Sequence, residues 1–140
     1  TKKVLHNPDL SAFLKDKKSI ENYWSAWRLP CLSGLINRFG NRKHKSIKSC
    51  NMGFFRSDAL KVNGFNNEFV GWGREDSEFV ARLYHSGIKR HNLKFSGIAY
   101  HLWHPEAERA ALPANDALLQ RTLNEKKIRC ENGVEQFINH

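Results

Sequence analysis

The chain has 140 residues, 40% of them hydrophobic and 26% charged, a balance that argues against general disorder and leaves room for one compact domain. No apolar run is long enough to span a bilayer, and no charged start followed by an apolar stretch marks a signal peptide. Lys and Arg outnumber Asp and Glu by 23 to 14, and the resulting formal charge of +9 favours an anionic partner such as a sugar nucleotide, an anionic lipid surface or a nucleic acid.

In chain order, residues 9–28 have helical spacing, with Leu10, Phe13 and Leu14 on one face, then Ile20, Tyr23, Trp24 and Trp27 after a cap at Ser19; Pro30 stops the helix. Arg42, Lys43, His44, Lys45 and Lys48 form a basic run that reads as an exposed loop, with phosphate or membrane contact as the sharper alternative. Residues 47–55 alternate as a strand, Cys50, Met52 and Phe54 on one side. A short helix over 57–62, capped by Ser57 or Asp58, closes on the Asn63-Gly64 turn.

A loop rich in Gly, Asn and aromatics occupies 65–74, followed by a helix over 75–86 with Phe79, Val80, Leu83 and Tyr84 inward and Gly87 as its left-handed cap. Residues 93–100 read as a second strand, and 115–127 as a helix with Leu118, Leu119 and Leu123 on its apolar side. Val134, Phe137 and Ile138 are expected to dock the tail. Alternating strands and helices make an α/β unit, or α+β, with a small sheet flanked by helices. Its segments are a helical and basic part (1–46), a core bearing the motifs (47–105) and a terminal helix with tail (106–140). Cys31, Cys50 and Cys130 are odd in number, widely spaced and without a CxxC pair, which fits reduced thiols and a cytoplasmic location, with peripheral contact at the inner membrane face as a further expectation.

Two stretches carry chemistry. The first is Gly71-Trp72-Gly73-Arg74-Glu75-Asp76, in which a loop with two glycines delivers adjacent carboxylates to a helix start. Acids in a first helical turn commonly just complement the macrodipole; the sharper reading makes Asp76 a proton acceptor. The second is Tyr100-His101-Leu102-Trp103-His104-Pro105 at a strand end. Residues three apart on a strand point to opposite faces, so a single imidazole ligand is more plausible than two unless the chain turns there. A hard ion such as Mn²⁺ or Mg²⁺ also wants carboxylate and phosphate oxygens.

Cys50-Asn51-Met52-Gly53-Phe54-Phe55, Val62-Asn63-Gly64-Phe65, Phe69-Val70-Gly71-Trp72-Gly73-Arg74-Glu75-Asp76 and Tyr100-His101-Leu102-Trp103-His104 together resemble the C-terminal, acceptor-side region of GT-A glycosyltransferases of the galactosyltransferase-like and bacterial family 2 types. The resemblance implies metal-dependent, inverting transfer from a nucleotide-diphosphate sugar to a hydroxyl of a glycan or glycolipid. It makes Asp76 the general base and Glu75 its acceptor-binding neighbour, and it places Trp72, Gly73 and Trp103 around the acceptor. His104, with His101 as the alternative, becomes a ligand of Mn²⁺ or Mg²⁺. The Asp-x-Asp triplet that such enzymes carry on the donor-binding half is absent from these residues, and the chain starts at Thr1, so a piece lacking its N-terminal half is expected. The rival reading is a non-enzymatic basic module that binds an anionic polymer or surface through residues 42–48 with Lys89, Arg90 and His91; no nucleic-acid motif supports it.

Overall fold

The computed structural model describes residues 51–91 and 107–138, together with Leu29, Leu32, Ile47, Leu93, Gly97 and Pro105. The chain divides into two compact units, Thr1–Gly40 with His91–Pro105, and Asn41–Arg90 with Glu106–His140. Nearly all the described residues belong to the second. The helix expected over 9–28 lies outside the described residues, as do most of the strand expected over 93–100 and the basic run at 42–48.

Among the described residues of the second unit four helices form: α1 (Arg56–Lys61), α2 (Glu75–His85), α3 (Leu112–Asn124) and α4 (Glu135–Ile138). No strand occurs among the described residues. In the segment read as a strand over 47–55, Asn51 lies in a 3₁₀ turn and residues 52–55 follow without regular structure. There Met52 packs against the core while Phe54 stays 46% exposed, so two positions expected on one side of a strand do not share an environment.

The three longer helices end in the same way, on a left-handed residue that turns the chain back. After α1, Asn63 (φ 67°) donates to the Leu60 carbonyl at 3.0 Å and Gly64 to that of Ala59 at 2.7 Å. After α2, Gly87 (φ 87°) and Ile88 make the equivalent bonds to Tyr84 and Leu83, and after α3 Lys126 (φ 50°) and Lys127 make them to Leu123 and Thr122. At the starts, expectation and structure differ. Phe55 precedes α1 without a side-chain cap, so Ser57 and Asp58 lie inside the first turn. α3 begins at Leu112 with Pro113 in its first turn, where a missing N–H costs nothing, and is shifted three residues towards the N-terminus from the expected 115–127.

The core is built around α2, whose residues 78–83 are all buried. Val62, Phe79, Val80 and Leu83 form its apolar part, and Ile47, Met52, Ala59, Phe65, Tyr84 and Ile88 pack around them. Phe65 stacks on Phe79 with ring centroids 4.4 Å apart, and Phe54 meets Phe79 edge-on at 5.1 Å.

Beside this cluster lies a buried polar one. Arg82 holds Glu78 through two bonds of 2.8 and 2.9 Å, donates to Gly64 O at 2.8 Å and also reaches Val62 O. Thr122 of α3 donates to the same Glu78 carboxylate at 3.0 Å. Asn63 donates through its amide to Cys130 O at 2.9 Å and accepts from the Glu135 N–H at 2.8 Å. Its carbonyl takes the Val134 N–H at 2.9 Å, so one residue holds both α1 and the tail. Of the three residues expected to dock the tail, Val134 is half-buried, whereas Phe137 and Ile138 are 70% and 46% exposed. These two line one wall of an open apolar groove of about 630 Å³ shared with Phe54, Leu60 and Phe65.

Candidate functional site

The loop entering α2 owes its shape to three left-handed positions in its last four residues. Gly71 (φ 69°) and Gly73 (φ 107°) take left-handed angles that cost glycine little, and Arg74 (φ 79°) follows in the same region immediately before the first helical residue. A non-glycine residue held there is strained by about 1–2 kcal/mol, so something outside the loop must stabilise it.

The N-terminal part of α3 does so. Asn115, 2% exposed, donates its amide to Val70 O at 3.1 Å and to Trp72 O at 3.4 Å, and Asp116 pairs with Arg74. A side chain at Gly73 would come within 3.0 Å of Leu112 Cδ1, and one at Gly71 within 3.4 Å of Ala111 Cβ. Gly73 therefore serves a close approach as well as a turn, whereas Gly71 serves the turn.

The structure brings four of the expected site residues to this one junction: Trp72, Gly73, Glu75 and Asp76. Glu75 and Asp76 are half-buried in the first turn of α2, where the unpaired N–H groups and the helix dipole favour ionised carboxylates. Asp76 Oδ1 accepts the Ser77 N–H at 2.8 Å. Glu75 Oε2 is buried with no hydrogen-bond partner among the described residues. Leaving a buried acceptor unsatisfied costs about 1–3 kcal/mol, more when it is charged, which makes this oxygen a natural seat for a ligand donor. Trp72 is 44% exposed, and the guanidinium of Arg109 lies over its ring with Cζ 4.8 Å from the centroid.

His101, Trp103 and His104 lie outside the described residues. Among the described residues no group of three or more His, Cys, Asp or Glu side chains is placed to hold a metal ion, and the two histidines expected to bind one lie outside them. Also among the described residues, no helix is long and apolar enough to cross a membrane. Neither the apolar groove nor a second, much smaller cavity beside Glu78 is lined by Trp72, Gly73, Glu75 or Asp76.

Reading the sequence missed the residues that make the junction rigid. Asn115 stands at the expected start of a helix, and Asp116 and Arg109 lie some forty residues from the loop they touch, with no local periodicity to connect them. The capping-type Asn was the one available signal. It works one turn inside the helix, on another segment's carbonyls.

A family model described as the N-terminal domain of galactosyltransferase matches residues 36–105, half of the chain. Chondroitin synthase of Escherichia coli is 27% identical over 113 residues, which is 77% of this chain and 16% of that protein. The chain thus spans about a sixth of the length of this relative. No solved structure matches.

Proposed function

Since this chain belongs to the galactosyltransferase N-terminal-domain family, we propose that it forms the acceptor side of an inverting GT-A glycosyltransferase and contributes the general base. The similarity to a chondroitin synthase supports glycosyl transfer as the class of reaction. The observation that carries the acceptor-side reading is the junction itself: two adjacent carboxylates beside an exposed indole, one with a buried oxygen that lacks a donor among the described residues.

In the proposed reaction an acceptor hydroxyl lies against Trp72, and a neighbouring hydroxyl donates to Glu75 Oε2. Asp76 takes the proton as the hydroxyl oxygen attacks the anomeric carbon of a nucleotide-diphosphate sugar, and the bond from that carbon to the diphosphate breaks on the opposite face. Braced by Asn115 and Asp116, the loop holds the acceptor without paying for ordering during each turnover. The donor is bound by a further half of the enzyme. Mn²⁺ or Mg²⁺, held with the help of His104 or His101, would neutralise charge on the departing diphosphate.

The test uses the full-length protein. Asp76→Ala is expected to lower transfer by about 10²- to 10⁴-fold, the usual range for a general base, with donor and metal affinity unchanged. His104→Ala should weaken metal binding in the presence of nucleoside diphosphate. Transfer at the normal rate by Asp76→Ala would show that the base lies elsewhere.

A further inference from the structure

The apolar groove beside α1 takes no part in the proposed transfer, and it carries both apolar and cationic side chains. Phe65 and Phe79 lie stacked along it, and Phe54, Phe137 and Ile138 line it while staying 46%, 70% and 46% exposed. Arg56 also lines it and makes no hydrogen bond or ion pair among the described residues. We infer that this face docks the protein on an anionic lipid bilayer.

The fold itself, and not a loose tail, keeps these side chains exposed. Asn63 is buried and accepts the Val134 and Glu135 N–H groups at 2.9 and 2.8 Å, so α4 starts from an anchored turn and still leaves Phe137 and Ile138 in solvent. Phe55, which precedes Arg56, is 77% exposed. Large apolar groups held against water are unfavourable, and a contiguous set of them marks contact with a protein or a membrane.

Charge decides between those two. Helix α1 has Arg56 at one end and Lys61 at the other, and Lys61 gives one of its N–H donors to Ser86 O at 3.1 Å. Arg129 donates to the Leu60 and Lys61 carbonyls at 3.2 and 3.3 Å, which sets a third cation against the end of the same helix. The acids of α1 and α4 are Asp58, half-buried, and Glu135, which Arg129 engages. Cations bordering an apolar groove suit a surface with phosphates above acyl chains, where the charged heads meet the phosphates and the phenyl and aliphatic groups enter the hydrocarbon boundary. An anionic polymer would use the cations and leave the phenylalanines in water. An apolar protein segment would cover Arg56 without supplying a counter-charge.

The experiment is co-sedimentation of the full-length protein with vesicles of phosphatidylcholine, alone or mixed in equal parts with phosphatidylglycerol. Binding is expected to the mixed vesicles and not to the neutral ones, and it should fall as salt is raised, because the attraction to headgroups is screened. Arg56→Gln with Lys61→Gln should lower the partition coefficient by about thirtyfold, each cation at an anionic surface being worth about 1 kcal/mol. Phe137→Ser with Ile138→Ser should lower it by about tenfold or more. All four side chains are exposed, so the thermal melts of both double variants should match that of the native protein. No binding to the mixed vesicles, equal binding to both kinds, or native-level binding by either double variant would overturn the inference. Dextran sulfate bound as tightly as the mixed vesicles, with no loss on changing Phe137 and Ile138, would overturn it too and assign the face to an anionic polymer.

Discussion

Glu78 and Arg82 stand four residues apart, the spacing of an ordinary surface ion pair on a helix. Their side chains are 1% and 0% exposed, which changes what the pair is worth. Exposed pairs contribute little, whereas removing one partner of a buried pair strands a charge and typically costs about 3–5 kcal/mol. Arg82→Ala and Glu78→Ala are each expected to lose stability in that range in urea unfolding, while Arg121→Ala, whose partner Glu125 is half exposed, should change it by less than about 1 kcal/mol.

Close by, Cys130 is buried with its thiol against the Val62 and Asn63 carbonyls, at 3.8 and 3.5 Å. Burial pushes its pKa up, Glu78 acting in the same direction and Arg82 against it. The thiol is the protonated, poorly nucleophilic form at neutral pH. Peptide mapping after brief iodoacetamide treatment should find Cys130 unmodified in the native protein and modified once urea unfolds it. Because its folded pKa is raised, the proton is held more tightly in the folded state. The associated stability is present below the unfolded thiol's pKa and lost as pH rises through the folded one, so the chain should weaken in alkali.

At the scale of elements, the helix ends and the loop before α2 decide the architecture. Gly87 and Gly133 meet different surroundings. A Cβ on Gly87 finds nothing within 4 Å, so Gly87→Ala pays only for a left-handed residue, about 1–2 kcal/mol. A Cβ on Gly133 would overlap the backbone carbonyl and side chain of Asn63, and neither can retreat without releasing the tail. Gly133→Ala should therefore be clearly the more destabilising in thermal melts. For α3, Asn115→Ala would leave the Val70 and Trp72 carbonyls without that donor. It is expected to destabilise by about 1–3 kcal/mol and to raise KM for the acceptor in the full-length protein, since the loop it braces carries Trp72.

For the molecule as a whole, the ties that close the second unit join residues far apart in sequence. Arg82 to Gly64 spans 18 positions, Asn115 to Val70 spans 45, and Asn63 to Glu135 spans 72. Deleting residues 131–140 removes the Val134 and Glu135 partners of Asn63, a residue only 2% exposed. The shortened chain is expected to lose several kcal/mol and to melt over a broader range than the intact one; an unchanged transition would show that the tail is not part of the cooperative unit.

Local chemistry made several features legible from sequence. Phe79, Val80 and Leu83 recur at helical spacing and are buried, and Asn63-Gly64 and Gly87 end their helices because few other residues tolerate positive φ. The galactosyltransferase-like relationship, too, could be read from the sequence, and the family model over residues 36–105 bears it out. What sequence could not supply was the set of partners brought from a distance. Nothing near Glu78 and Arg82 announces that they are buried, because their desolvation is made tolerable by carbonyls of Val62 and Gly64 and by Thr122 from another helix. Nothing near Asn115, Asp116 or Arg109 announces that they hold or cover the loop around Trp72. Periodicity reports which way a side chain faces on its own element. Which segment satisfies a buried polar group, and which cation comes to rest over an indole, is decided only when distant parts of the chain pack together.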